Sequence, residues 1–437
     1  MDYFFHKFKN VYNVHNLYFK QKFSTRFPTW KNSLFLGINY VFNKSTATTI
    51  TTTGKTIYIF IFYTERGYQQ MKLSCSKDSL LNAINIVSKA VSARTTLPIL
   101  ECILLTADEN GLKLTSNDME LAIESAYIEA DIQTEGNVAL DARFFSDIIR
   151  KVSGETVDIS VDEKFIATIA CGKSEFKISG QNGEDFPPIP EVEKNVKYVI
   201  SQNDLRNLIR QTIFSISQDE SKPVLTGELI EIEDNMVDFV SVDGYRISYK
   251  QAELVQSVGS KRAIVPGKSL GEIAKILSAD EDEKAVIYFT DNHIMADING
   301  NIVVSRLIQG EFIKYQQSFT NEYKTSAKIN RNEMLNSLER ASLISRDSRK
   351  IPVKLEISGN NIIITSNAET STAYEEVSAE IDGDRLTIAF NPKYLIDSLK
   401  AIDDEEVYMH FNTPLSPCVF KPVEGEDYKY LVLPLRI

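Results

Sequence analysis

The chain has 437 residues, a formal net charge of -12 and four cysteines. At roughly 100–200 residues per domain, this length suits two to four domains. So few cysteines, none in a CxxC pair, exclude a disulfide scaffold, a zinc ribbon and a thioredoxin-type site. The acidic balance argues at first against a nucleic-acid ligand, because phosphate contact draws on Lys and Arg.

The charge is uneven along the chain. Residues 1–70 hold seven Lys and two Arg against Asp2 and Glu65, which leaves -19 for residues 71–437. The same 70 residues hold 18 of the 43 aromatics, including the single Trp30, in no sustained period. The apolar run Ile57–Tyr63 is too short to span a bilayer, and no cleavable signal pattern follows a basic start. Residues 1–70 are therefore expected to be a poorly ordered extension or the product of an upstream start codon, with a targeting peptide as the alternative. Met71 opens a segment that reads as an N-terminus.

From there one unit is written three times. Amphipathic helices are predicted over Asp78–Ser92, Asp204–Ser217 and Glu333–Ser345, each with apolar residues at helical spacing and a capping residue type near its start. Each is followed by a loop, a proline (Pro98, Pro223, Pro352) and a strand pair. The strands turn at Asp108–Gly111, Glu233–Asn235 and Gly359–Asn361. A second helix recurs over Arg143–Val152, Lys268–Leu277 and Lys393–Ile402, with Phe145, Leu270 and Leu395 spaced 125 residues apart. Alternating strands follow at Val157–Val161, Ala285–Phe289 and Glu406–Phe411. Gly180–Asn195 and Gln309–Tyr323 read as linkers. A period of this length means a repeated α+β domain rather than a solenoid.

Chemistry is sparse. Three Gly-Lys-Ser/Thr triplets lack the upstream glycine of a phosphate loop. His6, His15, His293 and His410 show no ligand spacing, so no metal or cofactor is expected. Cys75, Cys102, Cys171 and Cys418 mostly sit in apolar strand patterns and read as core thiols. No catalytic residues emerge; a hydrolase built from scattered acids and a repeat protein that ignores DNA are the competing readings. What recurs is positive charge on the helices and the loops after them: Arg94, Arg143, Arg150, Lys151, Arg206, Arg210, Lys222, Lys275, Arg346, Arg349 and Lys350. Were these to share one face, they would suit a phosphate backbone without base readout.

Residues 71–437 resemble the bacterial DNA polymerase III beta subunit, the sliding clamp. The resemblance rests on Thr95–Leu100 (TTLPIL), Phe214–Gly227, Val242–Ser248 (VDGYRIS), Ile264–Leu270 (IVPGKSL) and Tyr430–Ile437 (YLVLPLRI). It implies three clamp domains, 71–195, 196–322 and 323–437, each with two helices on antiparallel sheets. Two chains would close as a homodimer into a six-domain ring, basic helices inward around duplex DNA. It implies a non-enzymatic, cytoplasmic, nucleoid-associated protein whose partners are the polymerase catalytic subunit, the clamp loader and other replication and repair proteins, with no membrane role.

A pocket for partner peptides is implied at Leu225, Val242, Gly244, Tyr245, Arg246, Ile247, Leu431, Val432, Leu433, Pro434, Leu435 and Arg436. Ile313 and Gln317 stand where the family commonly has Pro and Arg, which departs from the pattern at the pocket rim. Arg94 matches a DNA-contacting Arg of the family, with Lys222 and Arg349 in the corresponding loops. The dimer interface is implied at Phe176 and Ile178 on one side and Leu343 and Ile344 on the other.

Overall fold

The computed structural model describes residues 36–39, 47–52, 55–62, 70–92, 95–257, 259–320, 322–345 and 351–436. Residues 1–69 and 70–437 form two separate units. In the first, Lys55–Phe62 pairs antiparallel with Ala47–Thr52 and parallel with Leu36–Asn39.

In the second unit a strand hands over to a helix six times among the described residues. The helices are α1 (Lys77–Val87), α2 (Ala142–Lys151), α3 (Gln202–Thr212), α4 (Gly267–Ala274), α5 (Arg331–Ser342) and α6 (Pro392–Ala401). Side-chain caps set four of the starts. Asp141 Oδ1 accepts from the Phe144 N–H at 2.8 Å and Asn330 Oδ1 from Glu333 at 3.0 Å; Ser76 and Asn391 cap α1 and α6. The odd-numbered helices start one or two residues before the predicted stretch, because polar residues of the first turn precede the first buried apolar side chain. Each then tightens into a 3-10 turn, Ser88–Ala90, Ile213–Ser215 or Leu343–Ser345, which ends two residues short of the predicted stretch in the first two copies and at its end in the third. Pro98 and Pro223 open 3-10 turns, and Pro352 directly precedes the strand Val353–Ser358.

The 125-residue period hides a shorter one. Each copy contains the sequence strand–helix–strands twice, with lead strands at 71–76, 136–141, 198–201, 261–266, 325–330 and 386–390. The two helices of each copy pack together over the sheets. The positions singled out by the repeat are core: Phe145, Leu270 and Leu395 are all nearly or fully buried, as are Val152, Leu277 and Ile402.

Strand pairing joins the copies. Leu121–Glu124 of the first copy pairs with Ile302–Ser305 of the second, Ile123 opposite Val303. Arg246–Lys250 of the second pairs with Tyr428–Val432 of the third, Ser248 opposite Tyr430. One apolar cluster runs through the first and second copies and another fills the third. The predicted linker at Gly180–Asn195 begins as strand: Gly180–Asn182 pairs with Val138–Leu140. Gly180 permits the approach, because a Cβ there would stand 2.6 Å from the Val138 side chain.

Candidate functional site

A third, smaller apolar cluster lies where the second and third copies meet. Val242 and Ile247 reach it from adjacent strands, and Leu431 from the strand Tyr428–Val432. Leu225 packs on it from the turn Pro223–Thr226. Alternation selects which residues arrive. Leu431 and Val419 face this cluster, whereas Tyr430 and Val432 face the core of the third copy. Val432 is thus a core residue at 0% exposure, not a pocket wall, and that expectation is corrected.

The linker contributes more than the sequence suggested. Phe312 and Tyr315 are buried in the cluster, and Phe319 and Tyr323 pack against it. Ile313, expected at the rim, is exposed between them, as is Gln317. The aromatic spacing of residues 312–323 was the available signal; Leu229, Val240 and Ile264 were detectable only as same-face strand residues.

Above the cluster, the turn Asp243–Arg246 and the C-terminal tail converge. Gly244 has φ +92°, a conformation costly for other residues. Asp243 Oδ1 accepts from the Tyr245 and Arg246 amides. Leu433 N–H donates to the Tyr245 carbonyl at 2.9 Å, and Leu435 N–H to Ala389 at 2.8 Å, so the tail bridges both copies. Tyr245, Leu433 and Leu435 are exposed apolar side chains here; Pro434 is half-buried and Arg436 exposed.

Arg246 does not offer its charge to this opening. It is 5% exposed. Nε donates to Asp243 at 2.9 Å, Nη1 to Asp397 on α6 at 2.7 Å, and Nη2 to the Phe214 carbonyl at 2.6 Å. The guanidinium lies against the Phe214 and Tyr394 rings. The residue expected in the pocket is therefore a clamp between two copies that holds the turn Asp243–Arg246 in place.

The six helices carry eleven Lys and Arg against seven Asp and Glu, a net +4 within an acidic chain. Arg143, Arg150, Lys151, Arg206, Lys222 and Lys275 are exposed. Arg150 pairs with Asp147 in an exposed and weak contact, and exposed Lys275 pairs with half-buried Glu272. Arg210 differs: it is half-buried and engaged by Asp403 and the Ala401 carbonyl across the junction. Arg94, Arg346, Arg349 and Lys350 lie outside the described residues.

Comparison with known proteins identifies the family. The model for the DNA polymerase III beta subunit, N-terminal domain, matches residues 71–190; the central-domain model matches 199–314 and the C-terminal-domain model 316–436. The chain belongs to the DNA polymerase III beta subunit family. A beta sliding clamp of Staphylococcus epidermidis is 36% identical over 376 residues, 84% of this chain and 99% of that protein. Among solved structures, a putative beta subunit from Eubacterium rectale has TM-score 0.81 at 44% identity. The DNA polymerase sliding clamp of Bacillus subtilis has TM-score 0.81 at 33% identity. Each covers 84% of this chain and 100% of the compared chain.

Among the described residues, Ser174–Ser179 pairs only with Ile166–Cys171 and Thr372–Ser378 only with Asn361–Asn367, so each of these stretches leaves one edge unpaired. Phe176, on the first, is exposed and Ile178 half-buried. Leu343 is 49% exposed, so it is not core of its own helix; Ile344 is half-buried. Sequence reading missed two further exposed aromatics, Phe144 on α2 and Tyr374 on the second edge.

Two thiols of the beta subunit are held away from reactivity. Burial and Asp158 push the Cys75 thiol up to about 12, and burial and Asp141 push Cys102 up to about 11, far from nucleophilic. Among the described residues no three metal-ligating side chains come together, and no helix is long and apolar enough to cross a membrane.

Proposed function

We infer that this beta subunit is the DNA sliding clamp of replication, a non-enzymatic accessory subunit that encircles duplex DNA and tethers the polymerase catalytic subunit. The observation that carries this reading is a junction made twice and left open once. Ile123, Ser248 and Ala373 are 125 residues apart. The first pairs with Val303 and the second with Tyr430. Phe176 holds the place of Tyr430 in its own copy: each stands opposite a residue in the middle of the preceding strand, Ile169 or Phe420. Carrying the register over puts Ala373 opposite the partner's Phe176.

The flanking side chains agree. Leu343 stands thirteen residues after its cap Asn330, as Phe214 does after Ser201, and Phe214 packs edge-on against Tyr430. Phe144 stands three residues after its cap Asp141, as Tyr394 does after Asn391, and Tyr394 stacks on Tyr245. Two head-to-tail copies of residues 71–437, with domains near 71–195, 196–322 and 323–437, would bury all four and close a ring of six domains.

Exposed Arg143, Arg150, Lys151, Arg206, Lys222 and Lys275 support a net-basic helical lining for phosphates; Arg94, Arg346, Arg349 and Lys350 are proposed to join them. Contact without base reading suits sliding. The cluster around Val242, Ile247 and Leu431, roofed by Tyr245 and Leu433, suits apolar anchors of partner peptides, those of the polymerase, the clamp loader and repair proteins. Such a clamp acts in the cytoplasm, on the chromosome.

Retention on DNA tests the reading. Loaded protein should stay on nicked circular DNA and leave after linearisation. Equal loss from both forms, or a monomer by sedimentation at micromolar concentration, would refute it.

A further inference from the structure

The strand Gly227–Glu233 carries a carboxyl group into the core of the second domain. Ile230 and Ile232, on the same face, belong to the main apolar cluster. Glu228 lies beneath them in register at 0% exposure. Its place in the repeat is defined by pairing. Glu228 stands opposite Val265, Ile103 opposite Leu140, and Val353 opposite Phe390. Val265, Leu140 and Phe390 each directly precede the helix cap of their copy, Pro266, Asp141 and Asn391. Ile103 and Val353 are fully buried. The second domain alone puts an ionisable group at this position.

Neither carboxyl oxygen meets a hydrogen-bond partner at normal geometry. The Thr212 hydroxyl is the one polar side chain that bears on its charge, and that hydroxyl already donates to the Leu208 carbonyl. The charged residues of the packed elements are not buried with it. Those of α3 are Asp204, Arg206 and Arg210, and those of α4 are Lys268 and Glu272. On its own strand Glu231 and Glu233, and on the next Asp238, fall on the opposite face; Lys261 and Arg262 sit at the far end of the lead strand.

We propose that Glu228 is a proton-sensing residue of the second domain: the neutral carboxyl packs as its apolar counterparts do, and its ionisation loosens the strand Gly227–Glu233 and the sheet around it. Burial raises the group from 4.5 to about 8, opposed only by the Thr212 hydroxyl. The folded chain therefore keeps a proton that the unfolded chain releases. The contribution is fully present below the unfolded value, declines as pH rises from about 4.5 to about 8, and is lost above. The opening equilibrium of this region should rise by up to about tenfold per pH unit across that window, roughly a thousandfold or more in all.

Two measurements on the full chain test this. Infrared difference spectra at pH 6.5 between the natural chain and Glu228→Gln should show a protonated carboxyl band in the natural chain only. Amide exchange of peptides covering 227–242, corrected for intrinsic rates, should accelerate between pH 6 and pH 8.5 in the natural chain and not in Glu228→Gln or Glu228→Val. Peptides covering 102–117 and 353–367 should be indifferent to both variants. Absence of the carboxyl band, or the same pH response in all three chains, overturns the proposal. The infrared result stands even if Glu228→Val fails to fold.

Discussion

Replacing Asp397 by Ala isolates the clamp between the second and third domains. Asp397 belongs to α6 and touches Arg246 through Nη1 at 2.7 Å. Arg246 is 5% and Asp397 26% exposed. Removing one partner of a fully buried ion pair costs about 3–5 kcal/mol, because a desolvated charge is left alone. Here Asp243 and the Phe214 carbonyl still hold two edges of the guanidinium, and water reaches the Asp397 side. The expected loss is therefore smaller, about 1–3 kcal/mol. The freed guanidinium also releases the turn Asp243–Arg246, whose Tyr245 carbonyl anchors Leu433. A peptide with apolar anchors should then bind on the order of tenfold more weakly, the equivalent of about 1.4 kcal/mol. Chemical denaturation and calorimetric titration measure the two effects. Asp397→Asn, which keeps an acceptor, should cost less than Asp397→Ala. In a double-mutant cycle with Arg246→Met, most of the Asp397 effect should vanish. Unchanged denaturation midpoint and peptide Kd in Asp397→Ala, with the natural chain binding normally, would refute the clamp.

Three other outcomes are expected. Phe176→Asp places a charge on the edge proposed to meet Ala373 of a second copy and should yield monomers by sedimentation, whereas Phe144→Ala should weaken the proposed dimer without abolishing it. Arg206→Glu and Lys151→Glu should each flatten the dependence of DNA affinity on salt, by a log–log slope change on the order of 1 for each phosphate left unneutralised, without altering sequence preference. Burial and the Lys421 charge lower His410 to about 4, so its folded form resists protonation. Stability from this group is present above the ordinary value of 6.5 and is lost as pH falls towards 4. His410→Gln should reduce the fall in melting temperature between pH 7 and pH 4.5, and an unchanged acid profile would count against this assignment.

Much of the fold was legible because each copy states it again. A single helix with apolar residues at helical spacing is weak, yet Phe145, Leu270 and Leu395 at one spacing made the domain visible. The half-domain repeat stayed hidden. Its two halves share a strand–helix handover and alternating burial, but α4 lacks a side-chain cap and begins with Gly267, where α2 begins with a capped Ala142. The apolar cluster between the second and third copies was legible in part for a similar reason. Val242, Ile247 and Leu431 fall within recognisable motifs, whereas Phe312, Phe319 and Tyr323 lie in a linker whose motif departs from the family at Ile313.

By itself the chain determined three α+β copies, their helices and hairpins, the inert thiols and the resemblance to the clamp family. These follow from local periodicity, turn chemistry and repetition, all of which are written along the sequence. Only tertiary structure decided that Val432 faces the core of the third copy while Leu431 faces the cluster at its junction with the second, since strand alternation needs an origin that pairing supplies. It also decided that Arg246 is spent on Asp243, Asp397 and Phe214, and that Glu228 is fully buried. Such facts depend on which distant residues meet, and a side chain's charge says nothing about the solvent it has lost.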